Sequence, residues 1–177
     1  MTRILGILGH PIAHSLSPAM QNAAIQYLNI DAEYIAFDVM PNSLGKAIYG
    51  AEALGFHGLN ITIPHKIEAV QYCVPDDRVR AIGALNTLKF GDDTIYGYNT
   101  DVDGVINTLK EADVKTNGKC VLVVGAGGAS RAVVYALITL GSKVFVANRT
   151  LERAKKLSDA FKCHGYGGLD DILAIAE

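Results

Sequence analysis

Apolar and polar positions follow one another along this chain in a strand–helix rhythm. Arg3 to Leu8 reads as a short apolar strand. Ser17-Pro18 has the signature of a helix start, with serine as N-cap and proline at the first helical position. Met20, Ala23, Ala24, Tyr27 and Leu28 then recur at helical spacing. Glu33 to Val39 alternates as a second strand, and Pro41 to Leu54 predicts a helix ended by Gly55. Gly58 to Ile63 predicts a third strand, after which Pro64 opens another helix. Leu85 to Phe90 and Thr94 to Tyr98 flank Gly91-Asp92-Asp93, a hairpin signal. A helix from about Asp103 to Ala112 follows.

The polar stretch Asp113-Val-Lys-Thr-Asn-Gly-Lys119 contains a turn dipeptide and separates two halves, giving expected domains over 1–113 and 114–177. The second half predicts strand, helix, strand and helix, with a weak strand near Phe161 to Tyr166. Its first strand, Cys120 to Val124, runs straight into Gly125-Ala-Gly-Gly-Ala129 and then into a helical pattern. That is the order of a dinucleotide-binding βαβ unit. Gly125 permits the tight turn, and Gly127 and Gly128 let the backbone approach a pyrophosphate. The helix N-terminus offers free N–H groups to the anion. Ser130 stands where the strict fingerprint wants a small residue. The second strand closes with Asn148-Arg149-Thr150 rather than with a carboxylate, and Arg153 follows. A guanidinium suits a ribose 2′-phosphate, so NADP(H) is expected rather than NAD(H). Taken alone, the turn also reads as a structural feature and Arg149 as a surface charge.

The second half holds roughly one of the two mononucleotide halves of such a domain. Its first strand would then be an exposed edge. Either the chain is a fragment of a longer protein or something else covers that edge.

Composition narrows the picture. Half of the 177 residues are hydrophobic (50%) and 19% are charged, enough apolar content for a real core. A net charge of −2 supplies no field for nucleic acid or an anionic membrane, so neither partner is expected. No window has the apolar length of a membrane span, and the N-terminus does not read as a signal peptide. Cys73, Cys120 and Cys163 lack metal-ligand spacing and read as reduced thiols of a cytosolic protein. His10 and His14 are separated by Pro11 and have no acidic neighbour at ligand spacing, so no metal is expected.

Three segments of the first half gather polar residues at the ends of apolar ones. In His14-Ser-Leu-Ser17-Pro18, two hydroxyls at i and i+2 can bind a carboxylate; alternatively Ser17 simply caps the helix. In Asn60-Ile-Thr62-Ile-Pro64-His-Lys66, Lys66 falls in the first turn of the expected helix, where a lysine opposes the macrodipole. It reads either as a functional amine or as a flexible surface side chain. In Gly83-Ala-Leu-Asn86-Thr and Gly97-Tyr-Asn99-Thr100-Asp101, an Asn and an Asp stand at the ends of neighbouring strands. Asp101 reads either as a partner for Lys66 in proton transfer or as a helix cap.

Together these segments resemble the shikimate dehydrogenase family, in unbroken order over nearly the whole chain. Ser15-Leu-Ser17 is similar to the family's substrate serine pair, and the Asn60–Lys66 segment to its Asn-Val-Thr-x-Pro-x-Lys motif. Gly83–Thr87 and Asn99-Thr-Asp101 resemble its two strand-end motifs. Gly125–Ala129 and Asn148–Arg153 resemble its NADP-binding turn and basic patch. The resemblance implies an α/β protein: a substrate domain with a mostly parallel sheet, then a partial Rossmann-type domain. It implies reversible reduction of 3-dehydroshikimate to shikimate by NADPH, a step of aromatic amino acid biosynthesis. Ser15 and Ser17 would bind the substrate carboxylate, while Thr62, Asn86 and Asp101 would hold ring hydroxyls. Lys66 and Asp101 would be the proton-transfer pair. The cofactor set would be Gly125, Ala126, Gly127, Gly128, Ala129, Asn148, Arg149, Thr150 and Arg153, with Asp77 where the family often has an acid. A monomer or homodimer is expected. Competing readings are an NAD-using quinate/shikimate dehydrogenase and a non-catalytic module of the same fold. The family's Asn-Ala-Thr-Pro-x-Gly-Met stretch and its later glutamine-bearing helix are not in this sequence.

Overall fold

The computed structural model describes residues 2–169 and 171. The packing divides the chain into two compact units, Met1–Asn99 and Thr100–Glu177. The first unit runs β1 (Arg3–Gly9), α1 (Ser17–Tyr27), β2 (Ala32–Asp38), α2 (Leu44–Ala53), β3 (Gly58–Ile61), β4 (Val74–Pro75), α3 (Asp77–Ile82), β5 (Thr87–Phe90) and β6 (Ile95–Tyr98). Short 3-10 helices at Pro41–Ser43 and Glu68–Tyr72 lie before α2 and β4. The sheet order is β2-β1-β3-β5-β6-β4. Strand β1 pairs in parallel with β2 and β3, and β4 with β6, whereas β5 is antiparallel to both of its neighbours.

Alternation along β1 explains how one strand serves two layers. Ile7 packs with Ile12, Ile25 of α1 and Tyr34, while Leu8 joins Leu44, Ile48 and Ala51 of α2, with Leu59, Ile61 and Leu88. Successive side chains of a strand point to opposite faces, so α1 and α2 cover opposite sides of one sheet. Gly55, at φ +74°, lies just after α2.

The second unit runs α4 (Asp101–Glu111), β7 (Cys120–Val124), α5 (Gly128–Thr139), β8 (Lys143–Ala147), α6 (Leu151–Phe161) and β9 (Gly165–Gly167). Its strands are all parallel in the order β7-β8-β9. Val123, Val134, Leu137, Val144, Val146, Ala154 and Leu157 form the core, with Leu109 of α4 packed against them. Through Leu109, α4 belongs with this unit. The division therefore falls between Asn99 and Thr100, whereas the turn signals placed the boundary at 113/114. The Arg131 guanidinium lies 5.2 Å from the Phe161 ring centroid, a cation–π contact joining α5 to α6. Strand β7 is an edge among the described strands, and Val124 at its end is 65% exposed.

Two local expectations change. Pro64 opens no α-helix: residues 63–67 form turns that lead into the 3-10 helix Glu68–Tyr72. Helix α1 starts at Ser17, with Leu16 in the cap position and no side-chain cap.

A close approach fixes β3 against β5. A Cβ built on Gly58 would lie 2.8 Å from the Leu88 carbonyl oxygen, a backbone atom with little room to yield. Gly58→Ala is expected to destabilise the protein by about 1–3 kcal/mol, measured by urea denaturation. An unchanged midpoint would contradict this register.

Candidate active site

The C-terminal ends of β1 and β3 lie side by side, and the loops leaving them are tied together. Leu8 pairs with Ile61 in the parallel ladder. Just beyond, the Thr62 N–H donates to the Leu8 carbonyl at 2.9 Å, and the His10 N–H donates to the Ile63 carbonyl at 3.0 Å. A Cβ on Gly9 would fall 2.6 Å from Thr62 Cγ2 and 2.8 Å from Ile12 Cδ1, so glycine is what lets these loops meet.

The loop after β1 carries the two serines. The Ser15 N–H donates to the Ile12 carbonyl at 2.9 Å, and Ser15 Oγ accepts from the Ser17 N–H at 3.3 Å. Ser15 is therefore the serine that turns the backbone, and Ser17 is the first residue of α1 rather than its cap.

The loop after β3 carries Thr62, the cis Ile63–Pro64 peptide, His65 and Lys66. His65 is 1% exposed, and its Nε2 lies 2.7 Å from the Val39 carbonyl. A carbonyl only accepts, so Nε2 carries a proton and donates. Its backbone N–H donates to the Thr62 carbonyl at 2.8 Å, which closes the turn beneath Lys66. Because Lys66 stands in this turn, the helix-dipole argument for it does not apply.

A third segment joins from β5. The Ile61 N–H donates to the Asn86 carbonyl and the Leu85 N–H to the Lys66 carbonyl, both at 2.8 Å. Ser15, Ser17, Thr62, Lys66 and Asn86 thus gather at one end of the first unit's sheet, and all five are partly buried. This arrangement offers hydroxyl, amide and ammonium groups at the margin of the core.

The remaining site residues belong to α3 and to the second unit. Asp101 is the first residue of α4, with Thr100 in the cap position; Asp101 and Asp103 put acids in the first turn, which suits the helix dipole. In α3, Asp76 is the cap, its Oδ1 accepting from the Val79 N–H at 2.7 Å. Asp77 next to it pairs with Arg80 at 2.7 Å on the surface.

The glycine turn of the second unit has the expected geometry. Gly125 adopts φ +116°, a conformation suited to glycine, and its N–H donates to the Ala147 carbonyl at 2.7 Å. Gly127 is the N-cap of α5, and its N–H donates to Ser130 Oγ at 3.3 Å. A Cβ on Gly127 would meet nothing within 4 Å. Among the described residues no neighbour demands glycine there, and a helix N-terminus of this kind suits an anion such as a pyrophosphate. Gly128 and Ala129 form the first turn of α5, while Ala126 packs against the unit's core. Beside the end of β8, Asn148 Nδ2 donates to the Thr150 carbonyl at 2.9 Å. This bond shapes the entry to α6, whose N-terminal end bears the exposed residues Arg149, Thr150 and Arg153. Two exposed guanidinium-bearing residues so near a strand end fit a phosphate.

The motif reading gave no role to a polar network behind Asn86. Tyr34, Asn60 and Thr87 are joined by hydrogen bonds on β2, β3 and β5. The available signal was Asn60 two residues before Thr62, near the end of β3. Among the described residues no cluster of ligands could hold a metal ion, and no helix is long and apolar enough to cross a membrane.

Comparison with known proteins gives the family and the fold. The family described as "Shikimate dehydrogenase substrate binding domain" matches residues 7–88, and "Shikimate / quinate 5-dehydrogenase" matches 108–177. A curated relative from Carboxydothermus hydrogenoformans, "Shikimate dehydrogenase (NADP(+))", is 43% identical over 99% of this chain and 62% of its own length. The crystal structure of shikimate dehydrogenase from Aquifex aeolicus superposes with a TM-score of 0.91 at 44% identity, covering 97% of this chain and 65% of that one. The Thermus thermophilus enzyme in complex with NADP(H) and shikimate gives a TM-score of 0.85 at 36% identity, covering 93% and 62%. The chain therefore spans a little under two thirds of the length of these relatives. Two matched family regions in order, and one fold across both, lead to a single conclusion: the chain belongs to the shikimate dehydrogenase family.

Proposed function

We propose that this chain carries the chemistry of an NADP-dependent shikimate dehydrogenase, interconverting 3-dehydroshikimate and shikimate. The observation that carries the reading is the gathering of Ser15, Ser17, Thr62, Lys66 and Asn86 at one sheet end. The Ser15 and Ser17 hydroxyls bind the substrate carboxylate, and Thr62 and Asn86 hold ring hydroxyls. Lys66 donates a proton to the carbonyl oxygen in the reducing direction and recovers it in the oxidising direction. An ammonium within hydrogen-bond reach neutralises the alkoxide as it forms, which lowers the barrier. Bound NADPH supplies the hydride. Gly125, Ala126, Gly127, Gly128 and Ala129 cradle its pyrophosphate, and Asn148, Arg149, Thr150 and Arg153 hold its 2′-phosphate. Asp77 is assigned beside the cofactor on resemblance alone.

Asp101 is assigned as the residue that orients Lys66 and a substrate hydroxyl. The resemblance supports this, since Asp101 stands in the Asn99-Thr-Asp101 motif. We assign the protein as a monomer or homodimer acting on small molecules in the cytoplasm.

The decisive assay is NADP⁺ reduction with shikimate. Lys66→Ala is expected to lower kcat by about 10²–10⁴-fold with a much smaller change in the KM for shikimate. A fully active Lys66→Ala protein, or a folded wild type without activity, would overturn the assignment. Arg149→Asp is expected to weaken NADP(H) by roughly tenfold to a hundredfold more than NAD(H). Equal losses for both would remove the argument for the 2′-phosphate and favour a quinate/shikimate dehydrogenase using NAD.

A further inference from the structure

Hydrogen bonds run from the outer strand β2 to the proposed substrate amide, and their direction is fixed by one group. Asn60 Nδ2 donates to the Asn86 backbone carbonyl at 3.2 Å and to Thr87 Oγ1 at 3.2 Å. The carbonyl can only accept, so that end of the Asn60 amide is its NH₂. Asn60 Oδ1 therefore faces Tyr34, whose hydroxyl donates to it at 2.7 Å. Burial pushes the Tyr34 phenol up to about 12, so it remains a donor throughout the neutral range. Thr87 Oγ1, having accepted from Asn60, donates its own proton to Asn86 Oδ1 at 2.9 Å. The polarity is set link by link from Tyr34 to Asn86.

The far end of the chain is clamped as well. Strand β2 lies at the edge of the sheet. Asn22 of α1 serves its open side, accepting from the Tyr34 N–H and donating to the Tyr34 carbonyl, both at 2.9 Å. The phenol then reaches across β1 to β3, held by a helix on one side and an amide on the other.

We propose that Tyr34, Asn60 and Thr87 are positioning residues that hold the Asn86 amide with its oxygen inward, so that its NH₂ meets the substrate. The inference rests on the reading that Asn86 binds substrate. Its consequence is a specificity rule: the ring hydroxyl at this subsite accepts from Asn86 and must give its own proton to another group. An amide free to flip would accept or donate indifferently, and the site would lose that preference. None of the three relay residues has to touch the ligand.

Shikimate affinity of the full chain, measured by calorimetry, tests this. Thr87→Val keeps the shape and removes the hydroxyl, and is expected to weaken shikimate roughly tenfold. Thr87→Ser restores the hydroxyl and should return affinity to within about twofold of wild type. In an Asn86→Ala background the same Thr87→Val change should cost nothing further, because the relay has lost its target. An unaltered affinity in Thr87→Val, or an equal loss in the Asn86→Ala background, would overturn the relay while leaving the substrate role of Asn86 standing. If Asn86→Ala itself leaves affinity intact, that role falls and the relay falls with it. Should Thr87→Val fail to fold, Tyr34→Phe carries the same test: its loss of affinity must also vanish when Asn86 is alanine.

Discussion

Reversal of β5 relative to β3 is the constraint on which the first unit's chemistry depends. A parallel β5 would have brought its C-terminus, Phe90, to this end of the sheet. Running antiparallel, it brings Asn86 and Leu85 there instead, where their backbone groups bond Ile61 and Lys66. Three loops from three strands then share one ladder of main-chain hydrogen bonds. Main-chain bonds fix where these loops end, and side-chain bonds such as Thr87 to Asn86 add to them. Glycines at positions 9 and 58 permit the close approaches that this geometry requires.

The second unit is built differently at its strand ends. Its strands are parallel and its polar chemistry sits where β7 and β8 end, beside the N-termini of α5 and α6. There the unpaired N–H groups of a helix favour an anion without any charged side chain. Arg149 and Arg153 add exposed positive charge at the N-terminal end of α6. Glycine at 125 is a backbone necessity, whereas a Cβ at 127 would meet no described neighbour within 4 Å.

The strand and helix rhythm was largely legible because each element buries one face. A short apolar run marks β1, alternation marks β2, and the hairpin turn marks β5 and β6. Legibility failed where local rules compete with packing. Proline at 64 suggested a helix start, yet the chain there is drawn into turns whose backbone bonds Thr62 and Leu85. Serine at 17 suggested a cap, yet Ser15 takes the backbone N–H instead. The turn dipeptide after Asp113 suggested a division, yet Leu109 packs α4 into the second unit.

Sequence by itself determined which elements form, which glycines must turn and which residue types stand at the strand ends. These depend on a few neighbouring positions, and ordered motifs carry them without knowledge of the fold. Only the tertiary structure decided which strand ends meet, because pairing order and direction join residues far apart in the chain. The Tyr34–Asn60–Thr87–Asn86 relay shows why: Tyr34, Asn60 and Thr87 lie on three strands, and nothing local to any one of them reveals the others. A hydrogen bond needs its partners within about 3 Å, a distance that only the folded sheet supplies.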